Sequence, residues 1–132
     1  MNYLLDTNIV TAILKKDRRI QHILRDVDLQ AEILMSGITY YEIKRGLLAA
    51  HATRKIVEFE ELCQEIDVIV PDLGILEQAS ELYADLKPKG RLLEDADIII
   101  AATALFKQLI LVSNDSDLLR VEHLVLENWF DP

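Results

Sequence analysis

Apolar residues fall along this chain in two alternating rhythms, short unbroken runs and longer stretches spaced three and four apart. The first run, Asn2 to Leu5, predicts a short buried strand. Ile9, Val10, Ile13 and Leu14 then recur at helical spacing, closed by Lys15 and Lys16, where positive charge suits the helix dipole. A second helix carries Ile20, Ile23, Leu24 and Val27. Glu32 to Gly37 reads as a strand, after which Thr39 opens a third helix with Tyr40, Ile43 and Leu47 on one face. The stripe Ile56, Phe59, Leu62, Cys63 and Ile66 predicts a fourth helix that buries Cys63 as a structural thiol. Asp67 to Val70 is a strand stopped by Pro71. Next comes a helix with Leu76, Ala79, Leu82, Tyr83 and Leu86 inside, ended by Pro88-Lys89-Gly90. Asp95 to Phe106 is apolar nearly all round, as expected of a centrally packed helix. Leu109 to Val112 and Val125 to Glu127 complete the strands. Short apolar strands alternating with amphipathic helices predict an α/β fold, an α/β/α sandwich around a mostly parallel sheet.

Composition narrows the picture. The 132 residues suffice for a single domain over 1–132 with a sizeable core, and no repeat or composition shift marks a boundary. One cysteine excludes an internal disulfide. The N-terminus lacks the basic and apolar regions of a secretory signal. The most apolar stretch, Ile98 to Val112, is interrupted by Lys107 and Gln108 and is too short to cross a bilayer. The expected compartment is the cytoplasm, with no membrane partner. A net charge of −9 argues against binding nucleic acid by bulk electrostatics, although an acidic metal site would contribute to that total. Basic residues do cluster locally, at Lys15, Lys16, Arg18 and Arg19, at Lys44 and Arg45, and at Arg54 and Lys55. Lys87, Lys89 and Arg91 form another such group, and each group is also explicable as a solvated helix end.

Ligands of open parallel sheets bind outside the carboxyl ends of the strands, and acids fall at those places here. Asp6 follows the first strand, Glu42 lies in the first turn of the helix after the second, and Asp115 follows the fourth by way of Ser113 and Asn114. Asp97 stands near the start of the apolar helix, beside Glu94 and Asp95. Singly, each has a structural explanation. Asp6 or Thr7 would cap the first helix, Thr39 to Glu42 matches a capping box, and Asp115 and Asp117 suit the start of a short helix over Leu118 and Leu119. Asp95 and Asp97 would serve the helix dipole. As a set they weigh differently. Carboxylates about 5 Å apart repel by roughly 3 kcal/mol per pair at an effective dielectric near 20, so a fold that gathers several needs a cation to offset the repulsion. Oxygen ligands without Cys or a local His suit Mg²⁺ or Mn²⁺ rather than zinc, and the natural chemistry of such a site is phosphoester hydrolysis.

Spacing alone does not bring these acids together, but a resemblance does. Leu4-Leu5-Asp6-Thr7-Asn8 resembles the opening motif of PIN domains, especially the VapC toxins of toxin–antitoxin pairs. Thr39 to Gly46, with Glu42 followed by Lys44, Arg45 and Gly46, resembles the second motif. Asp97 to Ala104 resembles the third, Leu111 to Asp115 the fourth, and Glu127-Asn128-Trp129 the usual tail. The match runs in order over essentially the whole chain. It implies a parallel-sheet sandwich whose acidic pocket binds one or two Mg²⁺ or Mn²⁺ ions. By that analogy Asp6, Glu42 and Asp97 are the core ligands, Asp115 completes the quartet, and Asp6 and Asp97 are the principal metal-binding pair. Asn8 and Ser113 would orient carboxylates or bound water by hydrogen bonding. Apart from the resemblance, Lys44 and Arg45 share a short helix with Glu42, which leaves Arg45 open both to contact with substrate phosphate and to a plain surface role. The implied reaction is endonucleolytic cleavage of RNA, often transfer or ribosomal RNA, by a homodimer neutralised by a VapB antitoxin that occupies the active-site groove.

Two departures stand out. The run Leu92 to Ala96 is unusually acidic and makes Asp95 an alternative to Asp97, and Ser113 stands where Thr is common. His22, His51 and His123 lie away from every motif, and Trp129 reads as a packing anchor. Competing readings are a phosphatase of the haloacid-dehalogenase type and a pseudo-nuclease that only binds RNA or a protein partner. The first needs a second acid two positions after the nucleophile, where this chain has Asn8. The second would not require four acids.

Overall fold

The computed structural model describes residues 1–130, so the last two residues of the expected 1–132 span lie outside the described chain. The strands are β1 (Tyr3–Leu5), β2 (Ile33–Ser36), β3 (Asp67–Ile69), β4 (Ile110–Val112) and β5 (Leu126–Glu127). The helices are α1 (Thr7–Leu14), α2 (Arg18–Asp28), α3 (Gly37–Ala49), α4 (Thr53–Glu65), α5 (Leu73–Leu86) and α6 (Asp95–Lys107), with a 3-10 turn over Ser116–Arg120. The strands form one sheet in the order β3-β2-β1-β4-β5, and every pairing is parallel. The expected α/β class is therefore observed, with a wholly parallel sheet.

Alternation along the strands divides the apolar side chains between two cores. Leu4 and Leu111 point to one face and pack with Ile75, Leu82 and Leu86 of α5 and with Ile98, Ile100 and Ala101 of α6. Leu5, Met35 and Val112 point to the other and pack with Ile9, Val10 and Ile13 of α1, Ile43 of α3 and Phe59 of α4. Strands covered on both faces must be apolar throughout, which is why they read as unbroken runs rather than alternating ones. Trp129 is buried against Tyr3, its ring centroid 5.9 Å away, and anchors the chain end as expected.

Three sequence expectations need correction. The third helix opens at Gly37, not Thr39: Ser36 is the cap, its Oγ accepting from Ile38 N at 3.1 Å. Thr39 is fully buried inside the helix and Glu42 lies beyond its first turn, so the capping box does not form. In α5 the inner face is Ile75, Ala79, Leu82 and Leu86, while Leu76 and Tyr83 are 43% and 40% exposed. Cys63 is half-buried, and that burial pushes its thiol up, away from the reactive thiolate.

Candidate active site

The chain runs β1, β2, β3 toward one edge of the sheet and returns to place β4 on the other side of β1. The crevice between the carboxyl ends of β1 and β4 is thus the point where strand order reverses, the usual ligand position in such sheets. Asp6 N donates to Val112 O at 2.9 Å and Ser113 N to Glu127 O at 2.9 Å, so both residues extend the strand ladders by one position. That extension holds Asp6 and Ser113 side by side at the crevice.

Asp6 is 4% exposed, and its carboxylate is held at both oxygens. Oδ1 accepts from Thr7 N at 2.8 Å, while Oδ2 accepts from Ser113 Oγ at 2.7 Å and from Asn8 Nδ2 at 3.1 Å. Ser113 Oγ also accepts from Asn8 Nδ2 at 3.2 Å and from Asp115 N at 3.0 Å, which uses its full hydrogen-bonding capacity. Asn8 Oδ1 accepts from Asn114 N at 3.2 Å and ties the β4 loop to α1. Burial nonetheless outweighs these bonds and, with the nearby charge of Asp115, raises the Asp6 carboxyl above its ordinary 3.8.

Glu42 reaches the same region from α3. Its Oε1 accepts from Thr7 Oγ1 at 2.9 Å, and the buried Thr39 Oγ1 lies 3.2 Å from that hydroxyl. Asp97 enters from the first turn of α6 and is half-buried. Burial pushes its carboxyl up to about 6, helped by the charges of Asp6, Asp115, Glu94 and Glu42 in that order. Acids from three other segments, together with Glu94 at the head of α6 itself, thus bear on one carboxylate, a mutual influence that spacing alone left open. Among the described residues no three such groups gather into a ready-made metal cage. The arrangement is an open acidic rim.

The other named residues fall as follows. Asp115 also caps the 3-10 turn, accepting from Asp117 N at 2.9 Å, as Asp6 caps α1. Structural and electrostatic roles coexist in both. Asp95 lines a hollow between α5 and α6 with Leu76 and Tyr83 and is not among the acids that raise Asp97. Asp117 is taken up by an ion pair with Arg120 at 3.1 Å. The Arg45 guanidinium stacks over the exposed Tyr41 ring, 5.0 Å from its centroid. His22, His51 and His123 are exposed. Sequence reasoning treated Thr7 only as a cap. Its hydroxyl, directly after Asp6, is the link that holds Glu42 to the site, and a hydroxyl next to an acid at a strand end was the available signal.

These features define a class: a three-layer, all-parallel α/β protein with an oxygen-only acidic site at its switch point. The PIN domain model matches residues 3–124, and the chain belongs to the PIN-domain family. Its relatives include Ribonuclease VapC2 of Haemophilus influenzae, 30% identical over 131 residues and covering 98% of both chains. Ribonuclease VapC2 of Rickettsia felis is 29% identical over 138 residues, again covering 98% of both. Among solved structures, a chain of VapBC2 from Rickettsia felis bound to promoter DNA matches with a TM-score of 0.92 at 24% identity, covering 98% of this chain and 99% of that one. A chain of VapBC-1 from nontypeable Haemophilus influenzae matches with a TM-score of 0.87 at 25% identity and the same coverage. No helix among the described residues is long and apolar enough to cross a membrane.

Proposed function

We propose that this chain is a Mg²⁺- or Mn²⁺-dependent endoribonuclease of the VapC type, hydrolysing RNA phosphodiester bonds as the toxin of a VapBC-type pair. The observation that carries the reading is the half-buried Asp97, its carboxyl raised to about 6 first by burial and then by the charges of four surrounding carboxylates. Repulsion of this kind serves no packing purpose and is relieved by a cation. Hard divalent ions bind through one or two carboxylates and keep several waters, so an open rim of oxygen donors fits one better than a closed cage would. Asp6 and Asp97 would hold the ion, with Glu42 and Asp115 completing the acidic rim. When bound, such an ion supplies Lewis acidity that activates water and offsets charge on phosphate oxygens.

The chain's own residues supply positioning. Ser113 and Asn8 hold Asp6 Oδ2, and Thr7 holds Glu42 Oε1, so two acids keep fixed edges. Asp6 is followed two positions later by the amide of Asn8 rather than by a second acid, which disfavours a phosphoaspartyl enzyme. The VapBC neighbours support a VapB-type antitoxin as partner, and the resemblance to VapC toxins implies a second copy of the chain and a transfer or ribosomal RNA substrate. Purified protein incubated with RNA and Mg²⁺ or Mn²⁺ should yield discrete fragments, abolished by chelator and by Asp6→Asn. Cleavage that survives both controls, or RNA binding without cleavage and indifferent to chelator, overturns this reading.

A further inference from the structure

A groove of about 340 Å³ opens directly onto the acidic site between α1 and α3. Thr7 and Glu42, already joined by a hydrogen bond, mark where it meets the site. From there Thr7, Thr11 and Leu14 line it on successive turns of α1, while Glu42, Ile43 and Gly46 do so on α3. Thr7 to Leu14 spans about 10 Å at ~1.5 Å per residue, the length of about three stacked nucleotides. Lys15 and Lys55 flank the far end.

Two observations say what the groove admits. The first is charge. Lys55 Nζ donates to Leu14 O and lies 3.3 Å from Glu58 Oε2, so its ammonium is fixed at the groove wall. Lys16 is 3.8 Å from the same Glu58 oxygen, and Lys55, Lys16 and Arg54 together hold that carboxyl below its ordinary range. Lys15 and Lys55 thus stand at the end of the groove away from the acidic rim, on a chain of net charge −9, with Glu58 pairing Lys55 and Lys16 behind them. The second is Gly46. It lies inside α3, where glycine costs about 1 kcal/mol relative to alanine, yet a Cβ built on it meets nothing within 4 Å. No packing contact explains the absent side chain; an open groove does.

We propose that this groove carries the RNA strand leading away from the scissile phosphate, with Lys15 and Lys55 holding the flanking phosphates and Gly46 leaving room for ribose and base. The inference rests on the ribonuclease reading and names the path of its substrate. Leu14 and Ile43, both buried, and the half-buried Leu47 give the groove an apolar floor beneath its polar ends. The two ammonium groups suit a polyanion rather than the basic segment that the acidic rim alone would attract.

The test uses the full chain carrying Asp97→Asn, which retains RNA uncut, and a labelled single-stranded RNA octamer in Mg²⁺. Binding is followed by anisotropy across a salt series. Adding Lys15→Ala or Lys55→Ala should flatten the log–log salt dependence by about 0.7 each, the value for one phosphate on a single strand. Lys107→Ala, on the far end of α6, should leave the slope unchanged. Gly46→Phe should weaken RNA binding at least tenfold without lowering the melting temperature, which separates blockage from misfolding. In the otherwise unaltered protein, the same three groove variants should raise KM for long RNA and leave cleavage of a dinucleotide unaffected. Unchanged slopes together with an indifferent Gly46→Phe overturn the proposal. So does a Gly46→Phe that spares RNA but prevents complex formation with the antitoxin, which would assign the groove to a protein helix. An unaltered protein that binds RNA along this path without cutting any would instead remove the nuclease reading and leave the path standing.

Discussion

At the scale of single residues, Asp97 links the site's geometry to a measurable pH dependence. Its folded carboxyl titrates near 6 against an ordinary 3.8, because burial and four acids disfavour the charged form. Cation binding needs that charge. At low metal concentration, activity should therefore rise with pH through about 6, and the midpoint should move to lower pH as Mg²⁺ or Mn²⁺ is increased. A midpoint indifferent to metal would mean that Asp97 does not hold the ion. The same shift has a stability consequence of definite sign. The folded state binds more protons than the unfolded state between about 3.8 and 6, so stability is lost as pH rises through that window. Asp97→Asn should stabilise the metal-free protein at pH 7 by about 1 kcal/mol, discounted for solvent screening of a half-buried group, and by nothing near pH 3.8. Chemical denaturation at the two pH values reads this directly. Ser113 is the other sensitive residue, since one buried hydroxyl serves Asp6, Asn8 and Asp115. Ser113→Ala should cost about 1–3 kcal/mol and lower kcat, because a buried carboxylate oxygen loses its shortest bond. Ser113→Thr should restore both if the hydroxyl is what matters.

At the scale of elements, the sequence was most legible where an element's apolar side is complete and least where two explanations share a residue. β1, β4 and α6 are buried nearly all round, so composition alone locates them. α5 is different. Helical spacing marks an apolar stripe but not which of its edges meets α6, and Leu76 and Tyr83 lie on the edge left open while Ile75 takes the inner position. The start of α3 was misplaced because Thr39 and Glu42 form a valid capping pattern three residues inside the real terminus. Ser36 wins because it ends β2 at full burial, and Gly37, whose Cβ would come within 3.2 Å of Pro71, lets the helix begin at once. Hydrogen bonding of Glu42 to Thr7 across thirty-five positions is a tertiary fact that no local pattern carries. Ser36 therefore sets the phase of the helix that delivers Glu42. Ser36→Ala should destabilise by about 1 kcal/mol, typical of a lost N-cap, and should also weaken metal binding by letting the first turn fray. Ser36→Asp, which keeps an acceptor, should recover more of the metal affinity than Ser36→Ala if the cap is the cause.

At the scale of the whole molecule, the fold concentrates repulsion at a junction between otherwise independent parts. Asp6 follows β1, Asp115 follows β4, Glu42 rides on α3 and Asp97 on α6, so the site joins both cores and both sides of the switch point. A divalent ion seated there would act as a cross-link between segments far apart in sequence, and its binding energy would appear as folding energy. At an ion concentration one hundred times the dissociation constant, the gain is about 2.7 kcal/mol, or roughly 5–11 °C at about 2–4 °C per kcal/mol for a domain of this size. Melting temperature should accordingly climb with Mn²⁺ or Mg²⁺ and saturate, while the same ionic strength supplied by potassium chloride should give only a small, unsaturating change. Screening by salt relieves repulsion among exposed charges but acts weakly on Asp6, which is 4% exposed, and this difference separates a bound ion from a diffuse atmosphere. Asp97→Asn sharpens the distinction. It removes one of the repelling charges, so the metal-free protein should start from a higher melting temperature, and it removes a ligand, so the increment on adding metal should shrink. A metal increment that survives intact in Asp97→Asn would place the ion elsewhere on this acidic chain and separate the cluster's repulsion from any cofactor.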